Sequence, residues 1–181
     1  MNYKHLITSL VGAAFLLLAG CANFPSANLN PSGPSARADL LATRGNTTSG
    51  QVMFHNTGGD LMVHARVSGL TPGQEHGFHI HDKGDCSSGD GMSTGGHFNP
   101  DGKKHGARHE EHHAGDLPAL KADASGVADV HFKVTGLNIG AGPADIVGRG
   151  LIVHVLPDDY KTQPTGNSGA RLACAVITKV N

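Results

Sequence analysis

Hydrophobic and polar residues alternate along several short segments of the chain. Alternation with a period of two is typical of strands that bury one face, and Gly and Pro turn signals separate these segments. The predicted strands are residues 50–55, 60–68, 77–82, 127–134 and 149–155, with 37–42 a weaker candidate. Short strands at this spacing predict an all-β fold, an antiparallel sandwich or barrel.

The composition narrows the choice of fold and partner. The 181 residues include 26 Gly and 9 Pro, a density of turn formers that argues against a helical bundle. The absence of Trp and a hydrophobic share of 38% favour one domain with a small aliphatic core. Because 14 Lys and Arg nearly balance 15 Asp and Glu, the chain lacks the basic field that nucleic acid requires. We expect no nucleic-acid partner.

The amino-terminal segment is typical of an export signal. Lys4 precedes an apolar run over residues 6–19, which is shorter than the ~20 residues that a membrane-spanning helix needs. The run ends in Leu-Ala-Gly-Cys at 18–21, which resembles the lipobox of bacterial lipoproteins. We therefore expect residues 1–20 to be a lipoprotein signal peptide and Cys21 to carry a lipid. The alternative is cleavage at a nearby small residue, which would leave a soluble protein.

The remaining chain divides into a tether and a domain. Residues 21–35 are rich in Pro and Ser and are predicted to form a lipidated tether, followed by a domain over 36–181. Removal of the signal peptide takes away one of the 14 basic residues and no acidic one, so the domain is mildly acidic. Two further cysteines, Cys86 and Cys174, lie in a chain expected to be exported. We expect them to be paired, with two buried free thiols as the alternative.

Histidine is the unusual component, with 13 residues in the chain, and neutral imidazole is the commonest metal ligand among side chains. In the segment 77–81, alternation sends Phe78 and Ile80 into the core and places His79 and His81 together on the outer face. The same alternation places His154 on the outer face of its strand. If the two strands are neighbours, three imidazoles converge on one metal.

Two long segments rich in Gly and polar residues, 83–115 and 156–171, interrupt the strand pattern and are predicted to be functional loops. The first contains a spaced set of potential ligands: His97, His105, His113 and Asp116. Three imidazoles and one carboxylate form a closed tetrahedral set suited to structural zinc. If His97 also faced the strand ligands, its two ring nitrogens would join two metals. The alternatives are exposed polar decoration and an adventitious metal-binding loop.

Several ordered motifs resemble the copper/zinc superoxide dismutases, especially exported bacterial ones, over residues 37–178. The motifs are GFHIH at 77–81, GDC at 84–86, GHFNP at 96–100, HG at 105–106, HAGD at 113–116 and GNSGARLAC at 166–174. The resemblance implies an eight-stranded Greek-key β-barrel, also described as an immunoglobulin-like sandwich, with two long functional loops.

The resemblance also implies one copper and one zinc ion per subunit. The implied copper ligands are His79, His81, His97 and His154. The implied zinc ligands are His97, His105, His113 and Asp116. By the same resemblance, Asp158 links a copper ligand with a zinc ligand, Arg171 orients the anionic substrate, and Cys86 and Cys174 form the family disulfide.

The implied activity is disproportionation of superoxide, with His97 and Arg171 as catalytic residues. The role would be protection against extracytoplasmic superoxide, by an enzyme anchored in the bacterial cell envelope and facing the periplasm or the exterior. A metal-buffering protein without turnover and a zinc hydrolase are the alternatives, and the choice between monomer and homodimer stays open. We expect the histidines outside these motifs to be exposed, namely His55, His64, His76 and His131. His109 and His112 are expected to be spare ligands or loop residues.

Overall fold

The computed structural model describes residues 33–181, so the predicted signal peptide, Cys21 and most of the predicted tether lie outside the described residues. The described chain contains ten strands and a 3₁₀ turn at Met92–Thr94, without an α-helix. The strands are β1 Ser35–Ala42, β2 Ser49–Asn56, β3 Asp60–Ser68, β4 Glu75–His76, β5 Phe78–His81, β6 Leu120–Lys121, β7 Ala128–Thr135, β8 Gly150–His154, β9 Arg171–Val176 and β10 Thr178–Lys179. Within residues 33–181, no helix is long and apolar enough to cross a membrane.

Eight of the strands form one antiparallel sheet in the order β5-β8-β9-β1-β2-β3-β7, with β10 beside β1. Strand β1 joins the two halves, because it pairs with β2 along most of its length and with β9 at Leu41 and Ala42. The chain crosses between the two ends of this order, from β3 to β5, back to β7 and again to β8. These crossings agree with a Greek-key arrangement, and the predicted all-β class is confirmed.

The strands form where alternation gives each one a buried apolar face. In β3, Leu61, Val63, Ala65 and Val67 are fully buried, whereas the intervening side chains lie outside. Burial of each large aliphatic side chain stabilises the fold by about 1.5–3 kcal/mol. Phe78 of β5 enters the same core, which leaves the outer face of that strand for its histidines.

Alternation fails to predict β9, whose core positions Ala173, Cys174 and Ala175 are all buried. Small residues buried on both faces give no period of two, so the segment around Arg171 reads as the end of a loop. The weakly predicted β1 proves to be central. Three further strands, β4, β6 and β10, have two residues each and are too short to show a period.

Candidate metal centre

The first long loop is hydrogen-bonded to the free edge of β5. The Ile80 amide donates to the Gly115 carbonyl at 2.9 Å, and the Phe98 amide donates to the Ile80 carbonyl at 2.8 Å. These bonds bring His97 opposite His81 in an isolated antiparallel bridge. Backbone pairing therefore sets the positions of the loop histidines, in addition to any stabilisation by an ion.

Four buried histidines converge beside this edge. Each offers one ring nitrogen, and the four nitrogens all lie within 4.8 Å of one another. The residues are His79, His81, His97 and His154. The convergence predicted from the sequence required the strand of His79 and His81 to lie beside the strand of His154. This condition is met, because β5 pairs with β8. A register shift between Val153 and His154 interrupts the β8 ladder to β9, and such irregularities re-aim side chains near functional sites.

Each of these four rings has one buried nitrogen without a hydrogen-bond partner among the described residues. The unpartnered atoms are His79 Nδ1, His81 Nε2, His97 Nε2 and His154 Nε2. An unsatisfied buried polar atom costs about 1–3 kcal/mol. Because these are lone-pair donors converging on one point, the residues present fit a metal ion, which would give all four nitrogens a partner.

The opposite nitrogen of each ring is held by the protein. His81 Nδ1 lies 2.9 Å from the Gly95 carbonyl, and His154 Nδ1 lies 3.1 Å from the Gly169 carbonyl. An N–H donated to a carbonyl fixes the tautomer and leaves the other nitrogen as a lone-pair donor. Both carbonyls belong to the loops, so the loops orient ligands that the strands supply.

A second convergent group lies on the other side of His97. It consists of His97, His105, His113 and Asp116, all buried, with ligand atoms within 4.8 Å of one another. Asp116 Oδ1 lies 2.7 Å from His97 Nδ1, and Asp116 Oδ2 lies 2.9 Å from His105 Nδ1. The His97 ring therefore turns Nδ1 towards this group and Nε2 towards the first group.

Asp158 connects the two groups. Its Oδ2 accepts from His79 Nε2 at 2.7 Å, and its Oδ1 accepts from His105 Nε2 at 2.8 Å. Gly166 covers this bridge with a φ of 64°, and a Cβ at this position would overlap both Asp158 Oδ1 and His105 Nε2. The close approach and the positive φ both require glycine here.

Burial keeps the imidazoles of His81, His97 and His154 neutral at neutral pH. Desolvation lowers the pKa of His97 to about 4, although its hydrogen bond to Asp116 acts in the opposite direction. Desolvation, with the neighbouring His79, also lowers the pKa of His154 to about 3. Neutral imidazole is the form that binds metals.

The second group has the opposite electrostatic balance. Burial would raise the pKa of Asp116, but hydrogen bonds from His105, His113 and His97 outweigh it and hold that pKa well below its usual range. Burial would lower the pKa of His105, but its hydrogen bonds to Asp116 and Asp158 raise it to about 9. At neutral pH, the second group therefore pairs an ionised Asp116 with a protonated His105.

The guanidinium of Arg171 is fixed to the segment around the 3₁₀ turn. It donates to the Gly91 carbonyl, to Thr94 Oγ1 at 2.8 Å and to the Gly95 carbonyl at 2.8 Å. Gly95 also accepts from His81, so one carbonyl holds both Arg171 and a member of the first group. The predicted substrate-orienting cation therefore shares a hydrogen-bond acceptor with a predicted copper ligand.

The predicted disulfide is present between Cys86 and Cys174, with a Cα–Cα distance of 6.0 Å. Cys86 belongs to the first long loop and Cys174 to β9, the strand that begins with Arg171. The bond therefore ties the loop that holds the guanidinium to the strand that carries it.

Sequence reasoning missed several supporting residues. His76, predicted to be exposed, is fully buried and donates from Nδ1 to the His154 carbonyl at 2.8 Å, because β4 is too short for its orientation to show in the sequence. The side-chain amide of Gln163 accepts a hydrogen bond from the His105 amide at 2.9 Å and donates one to the His105 carbonyl at 2.8 Å. These two bonds join the two long loops. His109 is exposed and His112 is half-buried, and neither residue belongs to a convergent group.

The fold and the two histidine groups define a class, that of metal-dependent β-barrel proteins. A profile of the family described as copper/zinc superoxide dismutase (SODC) matches residues 48–177. Superoxide dismutase [Cu-Zn] 2 of Aquifex aeolicus is 37% identical over 147 residues, which are 78% of this chain and 85% of that protein. The extracellular superoxide dismutase [Cu-Zn] of Drosophila melanogaster is 40% identical over 148 residues, 78% of each chain.

Solved structures show the same likeness. The clock protein EA4 superposes with a TM-score of 0.74 at 36% identity, over 81% of this chain and 94% of that one. A double mutant of a SOD-like protein from Bacillus subtilis superposes with a TM-score of 0.69 at 36% identity, over 78% of this chain and 96% of that one. The predicted Greek-key β-barrel is thereby confirmed.

The chain belongs to the copper/zinc superoxide dismutase family. It is a superoxide dismutase, and its cofactors are copper and zinc.

Proposed function

We propose that the first histidine group holds copper and the second holds zinc, one ion of each per subunit, with His97 shared. The observation that carries this assignment is the orientation of the His97 ring, with Nε2 unpartnered in the first group and Nδ1 beside Asp116 in the second. The proposed copper ligands are His79, His81, His97 and His154. The proposed zinc ligands are His97, His105, His113 and Asp116.

The ligand types support this order of metals. Four imidazoles suit Cu(II), and three imidazoles with one carboxylate suit a closed tetrahedral zinc site. A hydrolytic zinc needs an open position for water. Because Asp116 and three imidazoles already supply four donors, the geometry favours a structural zinc over a zinc hydrolase.

Copper held by the first group would supply one-electron redox chemistry, by which one superoxide is oxidised to oxygen and a second, with two protons, is reduced to hydrogen peroxide. Arg171 binds and orients the superoxide anion, because its guanidinium is the cation fixed beside His81 through Thr94 and Gly95. The net charge of the chain is −1, so attraction of the anion depends on this local cation.

His97 moves a proton at Nε2. Its Nδ1 stays beside Asp116, so Nε2, when it is not coordinated, would be the nitrogen that takes up a proton and passes it to the second product. Asp158 acts as a positioning residue, because each of its oxygens holds a ring of a different group. Rings fixed in this way retain the orientation that the ligand nitrogens need.

We further propose that the enzyme works outside the cytoplasm, anchored by a lipid at Cys21 in the bacterial cell envelope and facing the periplasm or the exterior, where it protects against extracytoplasmic superoxide. Residues 1–20 would be removed as a signal peptide, 21–35 would be the tether and 36–181 the domain. The Cys86–Cys174 bond, one bacterial relative and one extracellular relative support export. Labelling of cells with a fatty acid should mark the wild type and leave the Cys21→Ala variant unlabelled.

Homodimer formation is a further proposal. Leu41 and Val176 expose apolar side chains beside the disulfide, on strands β1 and β9, and a second copy would cover them. Sedimentation of the purified domain should give twice the chain mass, and a Leu41→Lys variant should sediment as a monomer. Sedimentation of the wild type as a monomer at all concentrations would exclude this partner.

Metal analysis combined with copper EPR tests the assignment of the sites. The wild type should bind one copper and one zinc per chain, with a nitrogen-rich Cu(II) signal, and should accelerate the decay of superoxide. A His97→Ala variant should alter that signal and lose activity. Bound metals without faster superoxide decay would instead indicate a metal-buffering protein.

A further inference from the structure

A third cluster of potential ligands lies far from the centre described above, on the outer face of β3 and β7. It consists of His64, Asp129 and His131, with one ligand atom of each within 4.8 Å of the others. His64 and His131 are direct partners in the antiparallel register, and their rings stack with centroids 3.9 Å apart and planes 12° apart. His64 Nε2 lies 2.8 Å from Asp129 Oδ1.

The cluster is separated from the catalytic groups by the core. Val63 and Ala65 flank His64 along β3 and are fully buried, just as Phe78 and Ile80 flank His79 along β5 and enter the same core. Because side chains alternate across a strand, the two sets of histidines lie on the outer faces of separate walls. No role in superoxide disproportionation explains the exposed set.

The set of ligand atoms suits a divalent cation of intermediate hardness, such as zinc or Cu(II). Two imidazoles and one carboxylate are typical ligands of zinc and Cu(II), and cross-strand partners stand close enough to chelate one ion. Asp129 keeps its negative charge, since hydrogen bonds from His64 and Arg66 lower its pKa. The side chains of His64 and Asp129 are 40% and 42% exposed, so the rings are free to turn from stacking to convergence and water can complete the coordination.

Two cations border the cluster, and both are engaged by carboxylates. Arg66 Nη1 lies 2.6 Å from Asp129 Oδ2, on the oxygen that does not face His64. Lys133 Nζ lies 3.0 Å from Asp60 Oδ2, at the next outward position of β7. Neither cation engages Asp129 Oδ1, which is hydrogen-bonded to His64 of the same cluster, and Arg66 moderates the affinity for a divalent ion.

We propose that His64, Asp129 and His131 form an exposed binding site for one divalent transition cation, zinc or Cu(II), in addition to the two catalytic metals. The site is less enclosed than the catalytic groups and exchanges its ion with the solvent.

Equilibrium dialysis of the copper- and zinc-loaded full chain against Zn(II) tests the site. We expect one additional zinc per chain. His131→Ala and His64→Ala should each weaken its binding at least tenfold, because each removes one of three donors. The matched control is His109→Ala, which removes an exposed histidine outside the cluster and should leave the affinity unchanged. Arg66→Gln removes a neighbouring positive charge and should strengthen binding about threefold.

A second measurement keeps the proposal testable if a variant folds poorly. In NMR spectra of the wild type, Zn(II) should shift the ring resonances of His64 and His131 together and leave those of His109 and His112 unchanged. Absence of a second zinc ion per chain, unchanged affinity for that ion in both cluster variants, or shifts confined to His109 and His112 would each overturn the proposal.

Discussion

Two histidine clusters lie on separate walls of one barrel. They differ in what holds the ring nitrogen that does not point towards the centre of the cluster. In the buried cluster, His79, His81 and His154 each have one nitrogen bonded to a loop group and the other directed at the common point. In the exposed cluster, His64 and His131 stack on each other instead, and Asp129 contacts only His64 among them.

The difference shows which part of the sequence makes a permanent metal centre. Strand alternation supplies paired donors in both clusters. Only the buried cluster is covered by long loops, whose carbonyls and Asp158 fix the tautomers and exclude water. Ligand atoms that are fixed in place favour tight binding of a catalytic metal ion. Ligand atoms that are mobile favour exchange of the ion with the solvent.

Removal of the disulfide should have the largest effect, because it releases the loop that covers the buried cluster. The double variant Cys86→Ser and Cys174→Ser opens a loop of 88 residues. We expect the free energy of unfolding to fall by about 2–4 kcal/mol, measured by denaturant titration of the metal-loaded protein. Binding of zinc at the exposed cluster should be unchanged, and an unaltered denaturation midpoint would contradict this role of the bond.

Asp158→Ala removes the shared partner of His79 and His105. Loss of such a partner lowers metal affinity or activity about 10- to 100-fold. We expect copper and zinc to be lost at correspondingly lower concentrations of chelator. The matched control is Asp129→Ala in the exposed cluster, which should retain both catalytic metals. Equal retention of metals by the two variants would show that Asp158 does not orient the rings.

Arg171→Ala removes the cation fixed beside His81, while Arg66→Ala removes one beside the exposed cluster. The first change should lower the second-order rate about tenfold and flatten its dependence on salt, because attraction of superoxide is electrostatic. Both variants should keep their metals, and Arg66→Ala should keep its rate. Stopped-flow kinetics measure this contrast. Wild-type rates for Arg171→Ala would exclude it from substrate guidance.

The pH dependence of the metal-free protein gives the smallest effect. His105 has its pKa raised from 6.5 to about 9 on folding, so it stabilises the fold fully below pH 6.5, and this contribution is lost as pH rises towards 9. His97 has its pKa lowered to about 4, so its contribution is present above pH 6.5 and lost as pH falls. Maximum stability near pH 6.5 follows.

Thermal unfolding after chelation measures this profile. His105→Ala should remove the decline above pH 6.5, whereas His64→Ala in the exposed cluster should preserve it. A decline of equal slope in both variants would assign the effect to other groups.

Strands with strict alternation could be predicted from the sequence almost to the residue, as β3 and β7 were. The donors could also be predicted, because His79, His81 and His154 lie on outward positions of strands and the loop histidines are regularly spaced. Strand β9 could not be predicted from the sequence, since its small residues are buried on both faces and show no alternation of hydrophobic and polar positions. The resemblance to a family, and not the pattern, supplied Asp158 and Arg171.

The ring-orienting carbonyls of Gly95 and Gly169 had no signal, because every residue carries a carbonyl and only the fold decides which one meets a ring. The same holds for Thr94. Its sequence context is that of an ordinary loop residue, and only the fold brings its hydroxyl between Arg171 and His81. Long-range contacts of this kind depend on chain crossings that single-sequence patterns do not encode.

The most direct test is a crystal structure of the oxidised, fully loaded protein, with anomalous scattering recorded at the copper and zinc edges. We predict copper at Nε2 and zinc at Nδ1 of the same His97 ring. Two ions bound far apart, without an imidazole in common, would contradict the proposed arrangement of the catalytic metals.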